Sequence, residues 1–345
     1  MKIFYSEEHR NHYPPFEVFD GGMRVPYYEN PDRMDRILTA LKKTDWAEFA
    51  EPDDFGLDPI LAIHDRGYIN FLASCWDEWL ASDPRVSSSP ETEAFLPATF
   101  ALRRQSRPTS SLHGRGGYYM MDLSACIVAG TYKAALTSAN IALSAAHSSF
   151  DLQNSSFALC RPPGHHAGKD YAGGYCFINN ASVAANWLSQ KGKTALLDID
   201  YHAGNGTQDI FYERSDVLTI SIHGDPDYEY PHYVGFADET GKGLGEGLHK
   251  NFPLPKDTGN EGYLAALDEA LELIRGFAPE HLVLSFGADT YDGDPLGKFH
   301  VTREGFGRIG KHIAGLNLPT AIIMEGGYAN EALGVNTQTL LENFR

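Results

Sequence analysis

The chain has 345 residues, 42% hydrophobic and 12% aromatic, enough to bury one large core. Its 21% charged residues, with 34 glycines and 19 prolines spread along the sequence, exclude a mainly disordered, collagenous or repeat protein. A formal net charge of -18 disfavours binding to phosphate backbones and suits a cationic ligand, although acidity of this kind also serves plain solubility.

The start, MKIFYSEEHRNHYPP, lacks the apolar core and small-residue cleavage site of a secretory signal, and no apolar run approaches the ~18–20 residues that cross a bilayer. The expected compartment is therefore the cytoplasm, with no membrane or nucleic-acid partner. Cys75, Cys126, Cys160 and Cys176 form no CxxC pair and are expected as reduced, buried thiols. Residues 82–117 are rich in Ser, Pro, Gly and Arg and show no sustained period. Loops of this length within a compact domain are usually functional or disordered. The apolar piece AFLPATFAL inside it suggests packing on something, a second subunit being one candidate.

From residue 131 onward the pattern alternates. A helix is expected at Thr131–His147, and short branched-residue runs read as buried strands at Ser156–Cys160, Lys193–Asp200, Val217–His223, His281–Asp289 and Thr320–Gly327. Helical spacing marks Asn179–Gln190, Gly262–Phe277 and Arg303–Leu316 between them. Strand and helix in alternation predict an α/β fold, a three-layer α/β/α sandwich around a mostly parallel sheet. With no visible linker, residues 1–345 are read as one domain carrying the insertion at 82–117. The glycine-rich GKGLGEG (241–247) lacks phosphate-loop spacing and reads as a turn.

Ligands of open parallel sheets gather outside the carboxyl ends of the strands. Four of the expected strands deliver polar residues there: His165 and His166 after Pro-Pro-Gly, Asp198 and Asp200 followed by His202, Asp289, and Tyr328 after Glu325-Gly-Gly. Residues two apart on an extended segment share a side, so Asp200 and His202 can face one point. With Asp289 they make three donors of the kind that hold zinc at about 2.0–2.2 Å, leaving a fourth position open. A lone D-x-H is more often a structural pair; the convergence of strand ends is what gives it weight. Asp198 and Asn205 are candidate partners for the second ring nitrogens of the two histidines. A carboxylate partner favours a cationic imidazole, whereas an amide leaves a neutral one fit for a general base. A phenol at Tyr328 can donate to a developing oxyanion.

Together RPPGHHA (161–167), DIDYHAGNGTQDIFY (198–212), SIHGDP (221–226), GADTYDGDP (287–295) and EGGY (325–328) resemble the arginase–deacetylase superfamily in its histone-deacetylase-like branch. FYSEEHR, GGYCFINNA and the insertion at 82–117 extend the resemblance to bacterial acetylpolyamine amidohydrolases. It implies the arginase–deacetylase fold and a zinc-dependent amidohydrolase (iron(II) being the other metal) that deacetylates small acetylated amines, with a homodimer built by the insertion. Position by position, it implies Asp200, His202 and Asp289 as metal ligands and His166 as general base and acid. His165 becomes an electrostatic partner paired with Asp198, and Tyr328 polarises the carbonyl. Tyr175 and Tyr230 become channel walls, and the Gly174 carbonyl meets the substrate amide. Asp198, backbone groups of Asp200 and His202, and Ser221 and Ile222 become a potassium site. Two departures stand out: Ala203 replaces a usual histidine, and His113 stands where the acidic mouth of the polyamine branch has a carboxylate, Glu17 occupying the other place. These leave open a deacetylase of acetyl-lysine or other acyl amides, or a weakly catalytic acyl-amine binder. A two-metal ureohydrolase is disfavoured, because Gly204 stands where D-x-H-x-D needs its last carboxylate.

Overall fold

The computed structural model describes residues 1–102, 106–328 and 331–345. Among the described residues ten strands occur in chain order: β1 Lys2–Phe4, β2 Glu17–Phe19, β3 Met23–Val25, β4 Glu48–Ala50, β5 Ser156–Ala158, β6 Thr194–Asp198, β7 Val217–Gly224, β8 His249–Leu254, β9 His281–Phe286 and β10 Thr320–Met324. Eight of them form one sheet in the order β4-β1-β5-β10-β9-β6-β7-β8, every neighbouring pair parallel. β2 and β3 form a separate antiparallel hairpin.

Side-chain alternation along the strands feeds two cores. Leu196, Val283, Ala321 and Ile323 face one layer, which holds helices Thr131–Leu152 and Asn180–Ser189. Ala195, Leu197, Leu282, Leu284 and Ile322 face the other, against helices Asp32–Leu41, Asn260–Phe277, Arg303–Ala314 and Leu333–Leu341. Both faces of the sheet are thus covered, which is why its strands read as continuous apolar runs. The α/β sandwich expected from the alternation is the architecture found. Among the described residues no helix is long and apolar enough to cross a membrane.

Each expected strand exists, but most end two or three residues early. β6 stops at Asp198 and β9 at Phe286, so the chemistry-bearing residues lie on the loops just beyond. Five strands (β1, β2, β3, β4 and β8) and three long helices (Asp32–Leu41, Arg66–Ser82 and Leu333–Leu341) add to the elements read from sequence. β1 and β4 have three residues each, too few to display a period. β8 carries Pro253, tolerated because this strand is the sheet edge. The insertion at 82–117 contains helix Pro84–Ser88 and runs into helix Leu112–Tyr119. Its apolar piece divides: Ala94 and Phe95 are buried in this chain's own core, whereas Phe100 and Leu102 are exposed.

A buried charge cluster ties the N-terminal segment to the sheet. Glu29 Oε1 meets Arg33 Nη1 at 2.6 Å and Arg161 Nε at 2.9 Å, and all three side chains are fully buried. Arg33 also donates to the carbonyls of Glu325 and Gly327, and Arg161 to those of His9 and Glu29. Removing the one anion leaves two guanidinium groups buried without a counter-charge. Glu29→Gln is therefore expected to cost about 3–5 kcal/mol in urea unfolding. A midpoint close to that of the unaltered chain would show that the carbonyls alone satisfy both arginines.

Candidate active site

β5, β10, β9 and β6 are adjacent in the sheet, and their exits converge. Asp198 closes β6 and accepts the N–H of Asp200 at Oδ1 (3.0 Å), bending the chain sharply. Asp200 Oδ1 in turn accepts the N–H of His202 (2.9 Å), and Asp289 Oδ1 that of Tyr201 (2.9 Å). Asp200 Oδ2 takes the N–H of Gly326 (2.8 Å). A β-carbon at Gly326 would lie 2.3 Å from Asp289 Oδ2 and 2.5 Å from Asp200 Oδ2, so only glycine lets the Glu-Gly-Gly exit approach so closely.

These bonds leave one donor atom each from Asp200, His202 and Asp289 within 4.8 Å of one another, all buried. Among the described residues Asp289 Oδ2 is buried with no hydrogen-bond partner, and His202 Nδ1 lies 3.2 Å from it as an ion-pair contact. Burial works against a charged imidazole, yet the hydrogen bond to Asp200 and the charges of Asp289 and Asp200 lift His202 to about 10. The donor set thus calls for a positive charge at its centre. Two carboxylates and an imidazole fit a divalent ion such as zinc or iron(II).

The adjacent histidines are driven apart by their partners. His165 Nδ1 lies 2.9 Å from Asp198 Oδ2; burial opposes its charge, but Asp200 and Asp198 raise it to about 10. His166 Nδ1 lies 2.6 Å from Asn205 Oδ1, and burial, with His165 and His202 beside it, pushes it well below the ordinary histidine value. One ring is held cationic and the other neutral, although their centroids are 3.9 Å apart. A second buried set, His165, Cys176 and Glu325, also has donors within 4.8 Å. Glu325 Oε2 is already occupied by the N–H groups of Gly164 and His165, and burial holds the Cys176 thiol protonated.

A cavity of about 470 Å³ opens onto this cluster, lined by His166, His202, Tyr328, Tyr175, Tyr230 and Gly174 among others. Tyr230 stands edge-on to His166 at 4.9 Å (89°), and its hydroxyl donates to Asp122 Oδ2 (2.7 Å). The same oxygen accepts the N–H of Gly174 (2.7 Å). Gly174 has φ +51°, and a β-carbon there would lie 2.2 Å from His166 Cδ2. Tyr328 is 4% exposed; its N–H donates to Asp294 Oδ2 (2.9 Å), and burial first, then Asp289 and Asp200, keeps its phenol protonated. Ser221 pairs with Asp198 in the sheet register, its hydroxyl 2.7 Å from His223 Nδ1, and Ile222 beside it is fully buried.

Two expected mouth residues lie elsewhere. Glu17 is fully buried: β2 turns it inward, where it accepts the N–H of Tyr28 (2.8 Å) and the hydroxyl of Tyr175 (2.7 Å). Its neighbours Val18 and Phe19 line the cavity instead. His113 sits on helix Leu112–Tyr119, stacked on Phe95 (6.1 Å, 16°) and outside the cavity lining. The two acidic lining residues, Asp122 and Glu229, stand in no motif that spacing alone reveals. Behind Ala203, the space is closed by Gly235, where a β-carbon would lie 2.9 Å from the alanine methyl. His223 Nε2 donates to the Gly235 carbonyl (2.9 Å), so this loop is backed by another segment where the resemblance places an imidazole.

Comparison with known proteins gives consistent relatives. The histone deacetylase domain family matches residues 27–344. Acetylpolyamine amidohydrolase 1 of Pseudomonas aeruginosa is 46% identical, covering 100% of this chain and 99% of its own. Acetylpolyamine amidohydrolase of Mycoplana ramosa is 41% identical over 99% of both chains. Among solved structures, acetylpolyamine aminohydrolase of Burkholderia pseudomallei superimposes with a TM-score of 0.94 at 38% identity, covering 100% of this chain and 98% of that one.

Burial raises Glu17 to about 7 from an ordinary value of 4.5. The folded state then binds the proton more tightly, so the wild type loses stability as pH rises between those values. Glu17→Gln has no charge to bury, and its melting temperature relative to wild type should rise from about pH 5 to about pH 8. A difference independent of pH would mean that Glu17 is ionised throughout.

Proposed function

The chain belongs to the histone deacetylase domain family, and from that premise we propose that it is a metal-dependent amidohydrolase that removes acetyl groups from small acetylated amines, acetylpolyamines foremost. One observation carries the reading: the buried Asp200–His202–Asp289 set, with a carboxylate oxygen that has no hydrogen bond among the described residues, at a cavity that His166 and Tyr328 also line. Residues 1–345 act as one catalytic unit in this reading.

A zinc or iron(II) ion held by Asp200, His202 and Asp289 would polarise an acyl carbonyl and make water a stronger acid. The chain supplies the proton traffic. With Nδ1–H donated to Asn205 Oδ1, His166 keeps a lone pair on Nε2, which takes a proton from the water that attacks the acyl carbon. The same nitrogen later returns the proton to the departing amine. His165, held cationic by Asp200 and Asp198, places a fixed positive charge against the His166 ring, their centroids 3.9 Å apart. The Tyr328 hydroxyl donates to that oxygen, and the Gly174 carbonyl receives the amide N–H. Tyr175 and Tyr230 flank the methylene chain and keep the site dry.

For a potassium ion, the residues in question are Asp198, Ser221 and Ile222 with backbone groups of Asp200 and His202. The sheet register supports this by running Ser221 beside Asp198. The exposed Phe100 and Leu102 of the insertion support a homodimer, because a second copy can cover them.

The purified protein should hydrolyse N-acetylputrescine and lose turnover after chelation, with divalent ion restoring it. Elemental analysis should find about one ion per chain, lost in Asp289→Asn. Full turnover without bound metal sinks the assignment. Tyr328→Phe should lower kcat by about 10²–10³ while metal content stays unchanged. An unaltered kcat would remove the phenol from the reaction.

A further inference from the structure

Two carboxylates line the cavity, and they are differently engaged. Asp122 is spent on the protein itself: Oδ1 accepts the N–H groups of Ser124 and Ala125, and Oδ2 the Ser124 and Tyr230 hydroxyls and the Gly174 N–H. It positions the channel walls and has no capacity left for a ligand. Glu229 is 12% exposed. Its Oε2 accepts from the Tyr201 hydroxyl (2.8 Å) and the Lys298 ammonium (2.7 Å), whereas Oε1, among the described residues, meets only the N–H of Tyr230 at 3.3 Å. Lys298 is 50% exposed, so the cation is the member of the pair that water reaches.

We infer that Glu229 is the cation subsite of the channel and that the Lys298 ammonium is its built-in competitor, displaced by the free ammonium of an acetylated di- or polyamine. This rests on the deacetylase reading above and names the part of the substrate that reading leaves undetermined. The chemistry of the exchange is symmetric. A substrate's primary ammonium is the same three-donor point charge as the lysine's, so Glu229 stays paired whichever cation it holds. An ion pair with a half-exposed lysine is weak, and the departing ammonium returns to water. The Tyr201 hydroxyl keeps the carboxylate in place meanwhile. Tyr201 stands between Asp200 and His202 in sequence, so one residue joins the metal-ligand segment to this subsite. A chain with its amide at the cluster and its ammonium at Glu229 would pass along Tyr230, whose backbone and hydroxyl are fixed by Glu229 and Asp122.

The test is the ratio of kcat/KM for N-acetylputrescine to that for the uncharged analogue N-pentylacetamide. It is measured in the wild type, Glu229→Gln, Lys298→Met and the double variant, each checked for its thermal midpoint. Glu229→Gln should lower the ratio about tenfold, the order expected for one charge pair in a partly buried site. Lys298→Met should raise it about threefold, and that gain should vanish when Glu229→Gln is also present. An unchanged ratio in Glu229→Gln, or a Lys298→Met gain that persists without Glu229, overturns the subsite and leaves the deacetylase reading intact. A wild type that hydrolyses neither compound overturns that reading and the subsite with it. Should Glu229→Gln fail to fold, Lys298→Met decides: no gain for the charged substrate overturns the inference.

Discussion

Three carboxylates, Asp198, Asp200 and Asp289, are brought together out of water at one edge of a parallel sheet, and the rest of the site answers the charge they carry. Burial alone pushes Asp198 and Asp289 toward the neutral acid. Asp200 feels the same burial, yet the charges of His165 and His202 hold it below the usual carboxylate range. Positive charge must therefore be supplied from within: a cationic His165 on one side and a cation among Asp200, His202 and Asp289 on the other. Backbone N–H groups of Asp200, Tyr201, His202 and Gly326 fix all but one of the remaining carboxylate contacts. The oxygen left over, Asp289 Oδ2, faces His202.

That electrostatic demand also explains two neighbouring histidines with opposite protonation. Their rings are in contact, so each disfavours charge on the other, and the proton goes to the one with the carboxylate behind it. His165 has Asp198; His166 has only the neutral amide of Asn205. A proton acceptor near neutrality thus results from denying His166 a counter-ion. The Glu325 carboxylate, lifted to about 7 by burial first of all, fastens the turn that carries both rings through the N–H groups of Gly164 and His165.

Much of this was legible in the sequence because the sheet is parallel. Strands buried on both faces write themselves as apolar runs, and their carboxyl ends mark where unusual polar residues belong. Asp198, Asp200, His202, Asp289, His165, His166 and Tyr328 all follow from that rule, and the structure brings them together. Asp198 and Asn205 were readable as candidate partners of the two rings; the family resemblance gave His165 to Asp198, and the structure gives His166 to Asn205. The N-terminal third was not. β1 and β4 are three residues long and gain their meaning from pairing with each other across 45 residues and more. Glu17 looked like a mouth residue by position, yet its carboxylate is buried on the Tyr28 N–H and the Tyr175 hydroxyl, and Val18 and Phe19 line the cavity instead. Asp122 and Glu229 belong to loops, where no periodicity announces which way a side chain points.

The poorly legible N-terminal segment is nevertheless what holds the oxyanion side of the site. The Glu-Gly-Gly exit of β10 must be glycine-rich to pass against Asp200 and Asp289, and glycines do not fix a tyrosine in place by themselves. Arg33 supplies the missing constraint, bonding the carbonyls of Glu325 and Gly327 on either side of Gly326, with its guanidinium 5.0 Å from the Tyr328 ring centre. Glu29 neutralises Arg33 and, through Arg161, fastens the same anchor to the start of the Pro-Pro-Gly turn that carries His165 and His166. Base and phenol come from strands β5 and β10, which are neighbours, but their loops are made rigid by one buried ion cluster contributed from residues 29–33. A site that needs flexible glycines for close approach thus takes its stiffness from charges placed behind it, out of reach of the substrate.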